Sequence, residues 1–315
     1  MLLPPLRRSL GPLAAVLLVA APASAQLRAD GPAVPLFADG AAAVHPVWSP
    51  DGERIAFTRE GYVGLWTVQA DGDAARQLSD EPAAGFGFAW SPNGRSLAAR
   101  VARLDGIRRQ DAIKRFPVDG DASVLLDYGV ATPGLPVWLD AFRVGVVLDG
   151  ELSTYMTADA PRLAPLRGEA VLDAGPDGLR VADLDARSLT ALNPVGGQLL
   201  NAAPSPDGQR VAFEVVGGGL YVMDRDGANV VALGAGHRPA WSPDGRWLVF
   251  MTTEDDGHDF TAADLVAARA DGSARVALTA TPDRLEMNPS WSPDGRSIAF
   301  DDAVDGALYL LPVTE

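Results

Sequence analysis

A turn-forming peptide followed by a short apolar run recurs along the chain. The peptide Trp-Ser-Pro-Asp-Gly and its close variants begin at Trp48, Trp90, Pro204, Trp241 and Trp291. Proline and aspartate favour the central positions of a type I turn, and glycine accepts the positive φ that follows. Each copy therefore predicts a tight turn between two short antiparallel strands. The residues assigned this structural role are Trp48, Gly52, Trp90, Gly94, Gly208, Trp241, Gly245, Trp291 and Gly295.

A second pattern follows most of these turns and marks a third strand. It is an apolar residue seven positions before a turn glycine, as in Leu65 and Gly72. Further copies begin at Ile113, Leu189, Leu220 and Leu265, and imperfect ones begin at Leu152 and Leu308. Read together, the two patterns predict seven units, which start at Trp48, Trp90, Trp138, Ala174, Pro204, Trp241 and Trp291.

Each unit reads as four short strands, which is the make-up of one β-propeller blade. We therefore predict an all-β chain with a single β-propeller of seven four-stranded blades over residues 26–315. Six blades remain the alternative, because the third and fourth units are weak. Residues 33–40 resemble a fourth strand that has no blade of its own, with Leu36 twelve residues before Trp48. We expect this N-terminal strand to complete the last blade and close the ring, which would protect two strand edges.

Residues 1–25 have the pattern of a secretory signal peptide. Arg7 and Arg8 precede an apolar run from Leu10 to Ala21, and Ala23-Ser24-Ala25 is a small-residue cleavage site. The run is too short to span a bilayer, which needs about 20 residues. We predict a periplasmic or secreted protein and leave the export route open.

The charge balance narrows the choice of partner. The chain has 26 basic and 41 acidic residues, and without residues 1–25 the net charge becomes −17. Such a charge disfavours nucleic acid and anionic membranes. No cysteine is present, so disulfides are excluded. We predict no membrane insertion, no cofactor and a chain that is monomeric alone.

Blade topology places the candidate binding residues on one face of the ring. The loop entering each first strand and the loop between the second and third strands share a face, and the repeat turns occupy the other. The first face varies more between units, so we predict that it binds a partner. Its candidate residues are His45, Arg103, Arg108, Arg109, Arg238, Glu254, Asp255, Asp256, His258, Asp259, Asn288, Asp301 and Asp302. The acidic ones are also compatible with a solvated loop surface, or with calcium at Glu254–Asp259, whose spacing matches no known calcium loop.

The repeats resemble the TolB-type propeller repeat. The segments His45–Phe57, Arg238–Phe250 and Asn288–Phe300 are close copies of it, and the resemblance runs from about residue 33 to the end. It implies a periplasmic β-propeller used for protein–protein contacts. The predicted seven blades differ from the six of TolB, and we expect no α/β domain ahead of the propeller. No partner-binding residue is therefore carried over.

We predict a non-catalytic module that binds a protein or peptide partner in the cell envelope, because folding accounts for nearly every recognisable residue. No catalytic or metal-binding residue is assigned. A glycan-binding or small-ligand-binding propeller is one alternative. The other is a metal-dependent propeller lyase. Such an enzyme needs a cluster of histidines near the channel, whereas this chain has only three histidines, none of them in a paired motif: His45, His237 and His258. The chain has no G-x-S-x-G motif, so no serine hydrolase is predicted.

Overall fold

A computed structural model describes residues 26–161, 164–175 and 177–315. The predicted signal peptide and Pro176 of the fourth unit lie outside these residues. The described chain forms seven antiparallel sheets that follow one another in sequence. The first strand of the last sheet packs against the first strand of the first sheet, so the sheets form a ring. The prediction of seven blades is confirmed, and the six-blade alternative is wrong.

The first four blades cover the N-terminal half. Blade one contains β3 (Ala43–Trp48), β4 (Arg54–Arg59), β5 (Val63–Gln69) and β6 (Arg76–Ser79), with a 3₁₀ turn at Glu60–Tyr62. Blade two contains β7 (Ala89–Trp90), β8 (Ser96–Asp105), β9 (Arg108–Pro117) and β10 (Ser123–Gly129). Blade three contains β11 (Val137–Trp138), β12 (Arg143–Leu148) and β13 (Glu151–Met156). Blade four contains β14 (Glu169–Gly175), β15 (Gly178–Asp183) and β16 (Ser188–Leu192). In the described residues these last two blades have three strands each.

The remaining blades cover the C-terminal half. Blade five contains β17 (Leu199–Pro204), β18 (Arg210–Val215), β19 (Gly219–Asp224) and β20 (Val231–Gly234). Blade six contains β21 (His237–Trp241), β22 (Trp247–Asp255), β23 (Phe260–Arg269) and β24 (Arg275–Ala277). Blade seven contains β25 (Glu286–Trp291), β26 (Ser297–Asp302) and β27 (Leu308–Thr314), and the N-terminal strands β1 (Arg28–Ala29) and β2 (Val34–Phe37) join it.

The two N-terminal strands pair antiparallel with β27. Val34 lies opposite Leu310, and Arg28 lies opposite Thr314. Val34–Phe37, within the segment 33–40, therefore lies along the outer edge of blade seven. The side chain of Leu27 is buried in the core between blades six and seven.

Local hydrogen bonds within the repeat peptide stabilise its turn. In blade six the Ser242 hydroxyl donates to Asp244 Oδ1 (2.7 Å) and accepts the backbone N–H of Trp247 (2.9 Å). Asp244 Oδ1 also accepts the backbone N–H of Arg246, and Gly245 has a φ of 68°. In blades one, two, five and seven, the serine hydroxyl likewise bonds to the aspartate or asparagine two positions after it. The serine and the aspartate, or asparagine in blade two, therefore stabilise the turn in each copy.

The turns of neighbouring blades lie side by side. A Cβ on Gly295 would be 3.8 Å from Pro243, and one on Gly52 would be 3.8 Å from Pro293. Two of the repeat tryptophans bond to the preceding blade: Trp90 Nε1 donates to the carbonyl of Val47 (3.0 Å), and Trp241 Nε1 donates to that of Ala203 (2.8 Å). These contacts place the repeat turns on one face of the ring, as the blade topology predicts.

Substitution of the repeat serine is expected to destabilise the fold without altering its surface. Ser242→Ala leaves the buried N–H of Trp247 without its acceptor, which costs about 1–3 kcal/mol of unfolding free energy. Urea unfolding of the variant measures this loss. Ser273→Ala is the matched control, because Ser273 is exposed and bonds only to Asp271 of its own turn. Equal losses in the two variants would contradict the structural role.

Candidate functional site

The first strands of four blades enclose a cavity of about 240 Å³ at the axis of the ring. In each of them the strand register shifts at a β-bulge just before the repeat peptide. The residue three positions before the repeat has a left-handed backbone: φ is 60° at His45, 49° at Asn201, 56° at Arg238 and 49° at Asn288. Residues other than glycine adopt this conformation at a cost, which asparagine and histidine tolerate better than most. All four line the cavity.

Two of these residues are held by a buried acid thirteen positions later. Asn201 Nδ2 donates to Glu214 Oε2 (2.7 Å), and Asn288 Nδ2 donates to Asp301 Oδ1 (3.0 Å). Each acid also contacts the following blade. His237 Nδ1 lies 2.7 Å from Glu214 Oε1. The acids are 7% and 2% exposed, so these contacts replace water.

In blade seven the buried acid is Asp301, and its contact with the following blade is made to the first strand of blade one. The backbone N–H of His45 donates to Asp301 Oδ1 at 2.9 Å. Burial raises the pKa of Asp301 from 3.8 to about 7, although the bonds from Asn288 and His45 oppose the rise. Burial, together with the charge of Arg238, lowers the pKa of His45 from 6.5 to about 3. The imidazole is therefore neutral near pH 7, and its buried Nδ1 has no hydrogen-bond partner in the described chain.

Arg238 is the one cation among the residues that line this cavity. Its Nη2 lies 3.4 Å from the hydroxyl of Tyr62, which belongs to the loop between the second and third strands of blade one. Blade seven lies between these two blades, so the arginine reaches past the blade next to its own. The contact with Tyr62 shows that the cavity lies towards the loop face.

The sequence predicted three of the four bulge residues for this face and missed the fourth. His45, Arg238 and Asn288 each precede a tryptophan by three residues. Asn201 precedes Pro204 by the same interval, so its spacing was the available signal. No sequence pattern singled out Glu214 or Tyr62, because each contacts the site from another part of the fold.

Asp301 and Asp302 are not part of a solvated loop, which corrects one expectation. Both lie in β26 and are 2% exposed. Asp302 Oδ1 accepts the backbone N–H groups of Leu285 (3.1 Å) and Val304 (2.9 Å). Asp302 therefore orders its neighbouring loops, whereas Asp301 borders the axial cavity.

Arg103, Arg108 and Arg109 lie on a hairpin that we call the basic arm, residues 102–111 at the tip of β8 and β9. Arg103 stacks over the ring of Tyr128 at 4.1 Å, and Arg109 Nη2 pairs with Asp111 (2.9 Å). Arg108 is exposed. Apolar side chains at the tip are exposed as well: Leu104 by 75% and Ile107 fully.

The residues of the predicted acidic loop lie on a second hairpin, the acidic arm, residues 253–260 at the tip of β22 and β23. Glu254, Asp255, Asp256, His258 and Asp259 are all exposed. The arm bonds to its own backbone, since Asp255 accepts the N–H of Gly257 and Asp256 accepts those of His258 and Asp259. The latter bonds hold the pKa of Asp256 below its usual value. Within residues 26–161, 164–175 and 177–315, no cluster of three or more His, Cys, Asp or Glu side chains is arranged to hold a metal ion.

Over the part of the chain that the structure describes, no helix has the length and apolar character to cross a membrane.

Comparison with known proteins finds a short match in sequence and broad matches in fold. No protein-family model matches the chain. A stretch of 46 residues is 52% identical to the Tol-Pal system protein TolB of Anaeromyxobacter dehalogenans, in strains 2CP-C and 2CP-1. That stretch is 14% of this chain and spans only 11% of the length of those relatives.

Three solved structures cover most of the chain. A putative TolB from Agrobacterium tumefaciens has a TM-score of 0.54 and 20% identity over 86% of this chain and 90% of its own. A gluconolactonase from Xanthomonas campestris has a TM-score of 0.55 and 17% identity over 90% and 89%. An oligogalacturonate lyase in complex with manganese has a TM-score of 0.50 and 16% identity over 88% and 79%. At these identities the likeness shows the propeller fold alone, and that fold occurs in both TolB and enzymes.

Proposed function

The chain is a β-propeller built from TolB-type repeats, and from this we propose that it acts in the cell envelope as a non-catalytic module that binds a partner protein on its loop face. The predicted signal peptide supports a periplasmic or secreted location. The propeller fold serves binding proteins and enzymes alike, so the fold does not by itself imply the non-catalytic role proposed here.

The basic arm is the observation that carries this proposal. Ile107 is fully exposed and Leu104 is three-quarters exposed at its tip, beside the exposed guanidinium of Arg108. Exposed apolar side chains next to arginine are typical of protein interfaces, where arginine is enriched. Long paired strands hold the arm, since β8 and β9 pair continuously from Ser96 opposite Pro117 to Asp105 opposite Arg108. The arm is therefore a preorganised contact surface.

The arm fits a partner with an acidic surface around an apolar hollow. Three arginines share the arm, and Arg109 and Arg103 are already oriented by Asp111 and Tyr128. Ile107 would enter the hollow while Arg108 pairs with an acid at its rim. A contact of this type combines apolar burial with charge steering.

Site-specific photo-crosslinking tests the proposal. We expect a benzophenone residue at position 107 to give a specific adduct with an envelope protein. We expect Ile107→Asp to lower recovery of that protein by about tenfold or more, as for a central interface residue. The matched position is Val124, which is 47% exposed on the outer strand of the same blade. Adducts of equal yield at 107 and 124 would contradict the proposal, as would adducts only with a second copy of this chain.

A further inference from the structure

The axial cavity contains a cation that forms no close ion pair in the described chain, although its charge acts on the nearby Asp301. In the described chain, Arg238 donates a hydrogen bond to the Tyr62 hydroxyl at 3.4 Å, and no carboxylate oxygen there lies within ion-pair distance of its guanidinium. Several other arginines of this acidic chain have such a partner. Arg59 pairs with Asp39, and Arg143 pairs with Asp140. A partly buried guanidinium with open donors is suited to bind an anion.

Among the other polar groups of the cavity, the asparagine amide nitrogens are already engaged, whereas the buried Nδ1 of His45 has no hydrogen-bond partner in the described chain. The amide nitrogens of Asn201 and Asn288 donate to Glu214 and Asp301. Those two acids also accept contacts from the blades that follow. Arg238 therefore remains the strongest open donor, while the amide oxygens of the two asparagines remain available as acceptors.

The backbone conformation keeps Arg238 in this position. It has a φ of 56°, and equivalent left-handed residues line the cavity from three other blades. Arginine adopts this conformation less readily than asparagine, which occupies two of the four positions. The choice of arginine at this one position thus points to a ligand.

We propose that the axial cavity is a binding site for a carboxylate group, held by paired hydrogen bonds from the Arg238 guanidinium. The cavity of about 240 Å³ lies below the usual 300–1,000 Å³ of drug-sized pockets and admits a small acid or the end of a peptide. A second polar group of the ligand would donate to the amide oxygen of Asn201 or Asn288. This inference does not depend on the proposed protein partner, because the basic arm takes no part in it.

Calorimetric titration with three probes tests the site: succinate, tetra-alanine with a free carboxyl terminus, and the same peptide with an amidated terminus. We expect saturable binding of at least one carboxylate probe below about 10 mM. Binding of succinate but not the peptides identifies a small organic acid as ligand. Binding of the free peptide with loss on amidation identifies a chain terminus.

Variants of Arg238 connect that binding to the guanidinium. Arg238→Asn keeps a residue that tolerates the left-handed backbone, and we expect it to weaken binding by about tenfold or more, as for the loss of charge-assisted hydrogen bonds. Arg238→Lys keeps the charge but not the paired geometry, so we expect an intermediate loss. Arg54→Gln is the control, because Arg54 lies beside the repeat turn of blade one and pairs with Glu53. Thermal unfolding verifies that each variant is folded.

The inference is overturned if no carboxylate probe binds, if both peptides bind and amidation does not weaken binding, or if Arg238→Asn binds as tightly as the unchanged protein. None of these results bears on the crosslinking at position 107. Failure of this site and failure of the proposed protein contact are thus separate outcomes.

Discussion

Deletion of residues 26–40 is expected to lower the free energy of unfolding by about 4 kcal/mol or more. The deletion removes β1 and β2, which form the outer edge of blade seven. It also removes the buried side chain of Leu27 and the half-buried Phe37, whose ring lies 5.2 Å from that of Phe57 in blade one. Full burial of one such side chain contributes about 1.5–3 kcal/mol. The exposed edge of β27 would also promote aggregation.

Chemical unfolding and light scattering of the chain from residue 26, with and without residues 26–40, measure both effects. Leu27→Ala is expected to cost about 2–4 kcal/mol, because Leu27 is 3% exposed. Val34→Ala is the matched control within β2. Val34 is 47% exposed, so its loss is expected to stay within about 0.5 kcal/mol. An unchanged midpoint for the deletion would show that the N-terminal strands do not hold the ring together.

Asp301 and His45 are expected to give opposite pH dependences of stability. The pKa of Asp301 is about 7 in the folded state and 3.8 in the unfolded state, so its contribution to stability is present at low pH and is lost as pH rises towards 7. The pKa of His45 is about 3 when folded and 6.5 when unfolded, so its contribution is present above pH 6.5 and is lost as pH falls. Between pH 3.8 and 6.5 the two effects cancel.

Single substitutions are expected to reveal each contribution. In His45→Asn only the Asp301 effect remains, so relative to the unchanged protein the variant gains stability as pH falls from 6.5 to 3.8. In Asp301→Asn only the His45 effect remains, and stability falls over the same interval. One pKa unit corresponds to about 1.4 kcal/mol, so each relative change reaches at most about 4 kcal/mol.

Unfolding free energies at pH 4, 5, 6 and 7 for both single variants and the double variant measure these slopes. Asparagine suits position 45, since Asn201 and Asn288 adopt the same left-handed backbone in other blades. We expect the double variant to run parallel to the unchanged protein. Parallel profiles for the single variants as well would contradict the opposed pKa shifts.

The blade count could be predicted from the sequence because its signals are local. The hydrogen bonds of each repeat turn join residues no more than five positions apart, as between Ser242 and Trp247. Such contacts depend little on the rest of the chain, so the same residues form the same turn in five blades. The third strands were found in the same way, including the weak copy at Leu152, which lies in β13.

The candidate site could be predicted only in part. The spacing before the tryptophans identified His45, Arg238 and Asn288, and the loops of opposite charge were found on the two projecting hairpins. The burial of Asp301 could not be predicted, because it depends on the first strand of blade one, 256 positions away. A run of acidic residues has the same sequence pattern whether neighbouring blades bury it or leave it exposed to solvent.

By itself, the sequence determined the seven blades, their turns and the face that carries the variable loops, since each follows from short-range hydrogen bonding and strand alternation. The tertiary structure alone decided what meets at the axis. Ring formation brings four bulges from distant parts of the chain around one cavity, and it brings the Arg238 guanidinium to the Tyr62 hydroxyl. Burial and pKa values there depend on this convergence, because the surrounding blades exclude water from groups that are separate in the sequence.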